Sequence, residues 1–221
     1  MKVIVTNSYD ESCAVVAGMI RDLVNAKPNA KLGLATGGTP VPIYQKLAQM
    51  NKAGEVDFSA VHTVNLDEYC GLPGTHDQSY RYFMDTNLFN HINIDKANTF
   101  VASGMGDPEA NAAELEAKVR EGGAPDLQLL GIGNNGHIAF NEANEDHLVA
   151  VAHTEKLTES TINANARFFE KKEDVPTMAI TMGMGDILAA KKVVLAATGL
   201  AKVPAIKGLI MDDVITTQNP S

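Results

Sequence analysis

Residues 31–47, KLGLATGGTPVPIYQKL, read as a buried strand that runs into a helix across a turn of two glycines. From Lys31 to Ala35 the chain is apolar at nearly every position rather than at every second one, the signature of a strand covered on both faces. Gly37 and Gly38 free the backbone for a tight turn, Thr36 and Thr39 place hydroxyls in it, and Pro40 falls where a first helical turn accepts proline. The same alternation recurs on either side. "KVIVT" precedes a helical stretch over 9–26, "KLGLAT" one over 41–53, "VHTVNLD" one over 78–89 and "NTFVAS" one over 107–121. "DLQLLGI", "TMAIT", "KKVVLAAT" and "DDVITT" supply further strands. Strands separated by helices predict βαβ units, so the expected fold class is α/β: a doubly wound, mainly parallel sheet with helices on both faces. The stretch 143–176 is the least regular, with only a short strand in "LVAVAHT", and is a candidate lid over the sheet's active edge.

A chain of 221 residues fits one domain with a substantial core, here taken as 1–221. Its 18 Lys and Arg stand against 27 Asp and Glu, a net charge of -9. That balance excludes a sequence-independent nucleic-acid binder, which needs cations to displace counterions from phosphates, and favours a small-molecule partner. Cys13 and Cys70 are too few for a disulfide framework and too far apart for a metal spacing. The opening "MKVIVTNSYDES" lacks the h-region of a signal peptide, and no stretch approaches the roughly 20 apolar residues of a membrane span. A cytoplasmic location is expected, with no membrane partner.

In a doubly wound sheet, ligands bind beyond the carboxyl ends of the strands, so the residues just after each strand carry the chemistry. Free amides at a helix start make "LATGGTP" either a phosphate cradle, Thr36 to Thr39, or a plain Gly-Gly turn with Thr39 as helix cap. It is neither a Walker loop, lacking the following Lys, nor a GxGxxG turn. "VHTVNLDEYCGLP" ends a strand in Asp67 and Glu68, whose side chains diverge if extended, so that one faces the site. A carboxylate there can remove a proton α to a carbonyl; the alternative is that Asp67 caps a turn and Glu68 is solvated.

"GIGNNGHIAFNE", residues 131–142, sets Gly131, Gly133 and Gly136 in GxGxxG spacing, and Glu155 stands roughly where a dinucleotide fingerprint wants its acid. Against that reading, the turn follows the fifth strand and "HIAFNEANED" is a poor helix behind it. His137 and Glu142 offer acid–base chemistry instead, with the carboxylate fixing the imidazole's tautomer, provided that a bent segment brings them together. Otherwise they are a turn histidine and a helix-start acid. Arg167 in "NANARFF" and Lys202 in "ATGLAKVPAIK" are isolated cations in an acidic chain, able to clamp a phosphate or simply solvated.

Together "LATGGTP", "NLDEYCGLP", "GIGNNGHIAFNEA", "ANARFF" and "TGLAK", in this order along nearly the whole chain, closely resemble the glucosamine-6-phosphate deaminases. The resemblance implies a Rossmann-like parallel α/β fold and conversion of glucosamine 6-phosphate to fructose 6-phosphate and ammonia, in amino-sugar catabolism. It implies Asp67 as the enolising base, His137 as the ring-opening acid–base and Glu142 as its charged partner. Asn135, at a position that is Asp in some members, is expected to orient His137 or a substrate hydroxyl. Phosphate is expected on Thr36, Gly37, Gly38 and Thr39, with Arg167 and Lys202 as clamps and the region of Arg167 as a mobile lid. No cofactor and no metal are expected.

Three departures stand out. "NEA" replaces the usual "NEP", which loosens the loop after Glu142, and "ANAR" replaces "ANSR", which removes a hydroxyl. The chain ends at "TTQNPS", where relatives continue into a last strand, so a truncation and an exposed sheet edge are expected. The resemblance is to the short, non-allosteric, often monomeric subgroup. A 6-phosphogluconolactonase-like hydrolase, a sugar-phosphate-sensing regulator domain and, last, a nicotinamide oxidoreductase are the competing readings.

Overall fold

The computed structural model describes residues 1–142 and 148–211. Five strands, β1 (Lys31–Leu34), β2 (His62–Asn65), β4 (Thr99–Phe100), β5 (Leu127–Leu130) and β8 (Val193–Leu195), form a parallel sheet in the order β4-β2-β1-β5-β8. Three more, β3 (Asp67–Tyr69), β6 (His153–Lys156) and β7 (Met178–Thr181), form a small antiparallel sheet in the order β3-β7-β6. The α-helices are α1 (Tyr9–Ala26), α2 (Val41–Lys52), α3 (Tyr80–Asn87), α4 (Pro108–Arg120), α5 (Glu159–Asn165), α6 (Met184–Leu188) and α7 (Val203–Met211), with short 3-10 turns between some elements.

The large sheet has one core on each face, as its nearly continuous apolar strands require. On one side Val16, Ile20 and Val24 of α1 and Ile43, Tyr44 and Leu47 of α2 pack on Leu32, Leu34, Leu127 and Leu129. On the other, Leu115 and Val119 of α4 meet Val64, Leu130, Ile180 and Ile187. Alternation along β5 sends Leu129 and Leu130 to different cores. This is the doubly wound arrangement, with helices on both faces of a mainly parallel sheet.

Strand order reverses between β1 and β5: β2 and β4 extend the sheet to one side, β5 and β8 to the other. The crevice at that switch point is where the loops after β1 and β5 part. Leu66 joins the two sheets. Its N–H donates to Leu34 O at 3.1 Å beside the large sheet, and its carbonyl accepts from Met182 N at 2.8 Å just past β7.

Several expectations are corrected. "KVIVT" belongs to no strand; Val3, Ile4 and Val5 are exposed, and β-branching yields a strand only where a ladder partner is in register. "TMAIT" lies in the antiparallel sheet, and "VHTVNLDEY" splits at Leu66 into β2 and β3. Within 143–176, the short strand expected in "LVAVAHT" is β6, which starts at His153 and runs on to Lys156, and α5 adds a helix where none is expected; residues 143–147 lie outside the described ones, as does "DDVITT" with the rest of the C-terminus. No helix among the described residues is long and apolar enough to cross a membrane.

Candidate active site

The turn after β1 opens onto the crevice. Gly37 sits at φ +92°, a backbone state costly for any side chain, and nothing lies within 4 Å of a Cβ built on Gly37 or Gly38. An anion can therefore approach the amides at the start of α2. The Tyr9 hydroxyl holds the turn from behind, donating to Thr39 O at 2.6 Å, and Tyr44 donates to Ala35 O at 2.5 Å. The cap of α2 is Pro40 with no side-chain cap bond, so Thr39 is not the helix cap.

Asp67 opens β3, opposite Thr181 of β7. It is 6% exposed, and its Oδ1 has no hydrogen-bond partner among the described residues. Burial, with the charge of Glu68 added, pushes its carboxyl up to about 8. Glu68 is buried rather than solvated: it accepts N–H bonds from Tyr69 at 2.8 Å, Tyr80 at 2.9 Å and Arg81 at 3.0 Å. Burial raises it to about 7, a smaller rise because the three amides stabilise its anion. Sequence reasoning also passed over Asn65, at the end of β2, whose Nδ2 and Oδ1 are both buried with no partner among the described residues. A polar residue ending an apolar run was the available signal.

The glycine stretch is a compact turn and opens no helix among the described residues. Gly133 N donates to His137 O at 2.8 Å and Gly136 N to Gly133 O at 3.2 Å, with Gly136 at φ +84°. A Cβ on Gly133 would lie 2.4 Å from the His137 ring, so this glycine exists for the imidazole. A second turn follows at once. Ala139 takes the left-handed φ of +54°, and Asn141 N donates to Ile138 O at 3.1 Å, folding Glu142 back toward His137. The Asn141 side chain, which the sequence did not single out, braces the turn through Ile138 O at 3.0 Å and Met182 O at 2.8 Å.

Glu142 Oε2 consequently stands 3.6 Å from His137 Nδ1 and 3.4 Å from Asn135 Nδ2, while Thr161 Oγ1 donates to Oε1. Asn135 Oδ1 accepts from His137 N at 3.4 Å. Burial lowers the imidazole's pKa, the Glu142 charge opposes that, and Lys202 lowers it further. His137 is thus held neutral near pH 7, able to accept a proton and to give it back.

Lys202 ends a helical turn introduced by Gly199 at φ +90°. Burial lowers its pKa, and the Arg167 charge lowers it again. Two cations thus feel one another, and one of them feels His137, which makes this flank of the crevice electropositive in an acidic chain. Arg167 rests over the Phe168 ring at 4.7 Å. Its segment is tied to β3 by Asn165 Nδ2, which donates to the Tyr69 hydroxyl at 2.8 Å.

The chain matches the family described as glucosamine-6-phosphate isomerases/6-phosphogluconolactonase over residues 6–220. It is 51% identical over 222 residues to a glucosamine-6-phosphate deaminase of Clostridium beijerinckii, covering 100% of this chain and 91% of the relative. It is 50% identical to one of Thermoanaerobacter sp., covering 100% and 87%. A solved monomeric glucosamine-6-phosphate deaminase superposes with a TM-score of 0.95 at 38% identity, over 100% of this chain and 91% of that one. A 6-phosphogluconolactonase of Thermotoga maritima shares the fold, with a TM-score of 0.75 at 20% identity over 99% and 91%.

Proposed function

Because the chain belongs to the family of glucosamine-6-phosphate isomerases and 6-phosphogluconolactonases, we propose that it is a glucosamine-6-phosphate deaminase. It takes glucosamine 6-phosphate and water to fructose 6-phosphate and ammonia. The observation that carries the reading is the 51% identity along the whole chain to a deaminase, set against 20% to a lactonase on the same fold.

In this reading the amides and hydroxyls from Thr36 to Thr39 cradle the phosphate, with Arg167 and Lys202 as clamps. Neutral His137 takes the proton of the anomeric hydroxyl and delivers it to the ring oxygen, which opens the sugar to its aldehyde. Glu142 steadies the imidazolium formed in passing, and Asn135 orients the pair. Asp67, as carboxylate, removes the C2 proton. The electron pair moves into the C1–C2 bond, and the carbonyl oxygen is protonated to give an enolamine. Return of a proton to C1 leaves an imine at C2; water adds there, the C–N bond breaks, and ammonia leaves as the ketone forms. Closure of the segment that carries Arg167 excludes bulk water during the proton transfers. The protein acts as a cytoplasmic C–N hydrolase in amino-sugar catabolism, as a single monomeric domain without cofactor.

Purified protein given glucosamine 6-phosphate should release ammonia and fructose 6-phosphate in equal amounts, and should leave N-acetylglucosamine 6-phosphate and 6-phosphogluconolactone unchanged. Folded protein that releases no ammonia overturns the reading: lactone hydrolysis would move it to the lactonases, and binding without turnover to a sensing domain. Asp67→Asn should abolish exchange of the C2 proton with solvent while sparing substrate binding. Unchanged exchange removes Asp67 from its role.

A further inference from the structure

Glu68 has a more specific environment than a strand-end acid needs. It is 1% exposed, and both carboxylate oxygens are engaged, Oε1 by the amides of Tyr69 and Tyr80 and Oε2 by that of Arg81. Tyr80 and Arg81 are the first two residues of α3, whose N-cap is Ser79. The carboxylate therefore satisfies amides that the helix cannot satisfy itself, at the positive end of the helix dipole. Strand geometry sends this side chain away from the face that Asp67 occupies, so Glu68 does not meet substrate beside it. Its position nevertheless fixes that of Asp67, one peptide unit away, against both β7 and α3.

The surroundings of Asp67 leave Glu68 as the charge that acts on it. Tyr44 of α2, Tyr69 of β3 and Tyr80 of α3 are the titratable groups that sense Asp67, and burial raises all three phenols, keeping them neutral. Across the strand pair stands uncharged Thr181. Cys70 also feels Glu68, and burial raises its thiol too. Three amides hold the Glu68 anion, whereas Asp67 Oδ1 has no partner among the described residues. Glu68 therefore ionises first, and Asp67 gives up its proton against a charge already present.

We propose that Glu68 is a positioning residue for the base: clamped at the start of α3, it fixes Asp67 and governs the pH at which Asp67 becomes a carboxylate. The proposal rests on the deaminase reading for its effect on turnover, and, for its effect on Asp67, on the clamped Glu68 carboxylate beside a buried Asp67 oxygen with no partner among the described residues. The base works deprotonated, so activity falls as pH drops through its midpoint. Removing the neighbouring charge lowers that midpoint, and the variant keeps a larger share of its own maximal rate in acid.

The test is titration of the Asp67 carboxyl by NMR on protein with carbon-13-labelled aspartate, assigned with Asp67→Asn, beside pH profiles of kcat/KM. Wild type should titrate well above the usual carboxylate range. Glu68→Gln should move the midpoint, and the acidic limb of the profile, down by about one pH unit. Glu68→Asp keeps the charge but shortens the reach; it should hold the midpoint near that of wild type while kcat falls about tenfold with little change in KM. A wild-type Asp67 in the ordinary range, an unmoved midpoint in Glu68→Gln, or Glu68→Asp behaving as wild type in kcat each overturns the proposal. If Glu68→Gln does not fold, the wild-type titration and Glu68→Asp decide it. Protein that releases no ammonia yet shows the midpoint shift would overturn the deaminase reading and leave the link between the two acids intact.

Discussion

A glycine can be present for the side chain of another residue. Gly133 is such a case: the space of its missing Cβ is taken by the His137 ring, at 2.4 Å. Gly133→Ala should push the imidazole off its line with Glu142, costing about 1–3 kcal/mol of stability. Turnover should fall about a hundredfold, because a small misplacement of a reacting group is expensive. Steady-state kinetics beside a melting curve checks this, and wild-type kcat in the variant would deny the contact its importance. The sequence made His137 and Glu142 legible as candidates, since histidine and a carboxylate are scarce and chemically distinctive. It could not show that Gly133 serves packing and Gly136 a positive φ, because GxGxxG spacing is written identically for a dinucleotide turn. The sequence leaves a solvated Glu68 open as an alternative, because its three amide partners come from a helix start 12 and 13 residues away and from its own neighbour.

Among the elements, the turn from Ile138 to Asn141 decides whether His137 meets Glu142. Asn141 is 5% exposed, and its amide ties the turn to Met182 past the end of β7. Asn141→Ala removes two hydrogen bonds, while Ile138 O keeps the residue 141 amide and Met182 O keeps the Thr181 hydroxyl. The expected loss is about 2 kcal/mol, which in a chain of this size lowers Tm by about 4–8 °C. Ring opening should slow while phosphate binding persists; a differential melt with and without inorganic phosphate separates the two effects. The long helices were legible because their apolar spacing repeats over many residues: 9–26 and 41–53 agree with α1 and α2 to within one residue. The small sheet was not, since β3, β6 and β7 have three or four residues each and their partners lie far apart in the chain. "KVIVT" failed in the opposite direction, with strong β propensity and no partner strand among the described residues.

For the whole molecule, the pole opposite the crevice governs survival in acid. Asp126 enters β5 gripping Lys27 and Lys191 at 2.7 Å each and the Lys31 amide at 2.9 Å, joining α1, β1, β5 and the approach to β8. Burial works to raise its pKa, but those three donors outweigh it and hold the carboxyl down at about 2. A carboxyl depressed in the fold stabilises above its unfolded pKa, near 4, and ceases to as pH falls through about 2. Asp126→Asn should lose roughly 1–2 kcal/mol at pH 7, the exposure of both lysines keeping the figure modest. Its stability should then change less than that of wild type between pH 4 and pH 2, which urea melts across that range would show. Equal pH dependence in the two proteins would mean that the cluster carries no net stabilisation. The parallel frame around this pole was legible from continuous apolar strands. The cluster itself was not, because Lys27, Asp126 and Lys191 look like ordinary surface charges until the fold gathers them.

Leu66 answers to both sheets through one residue's backbone, its N–H to Leu34 and its carbonyl to Met182. The glycine turn after β1 rides with one sheet; Asp67 rides with the other, together with Asn165 through Tyr69 and with the turn after β5, which Asn141 and Phe140 tie to Met182 O and the Thr181 hydroxyl. Leu66 is thus the pivot of a pair of tongs: rocking of the small sheet carries Asp67 and the turn of His137 together and changes their distance from the glycine turn after β1. Substitutions far from the sugar, wherever they stiffen or loosen that pivot, can retune the reach between the phosphate turn and the acid–base groups while each stays intact.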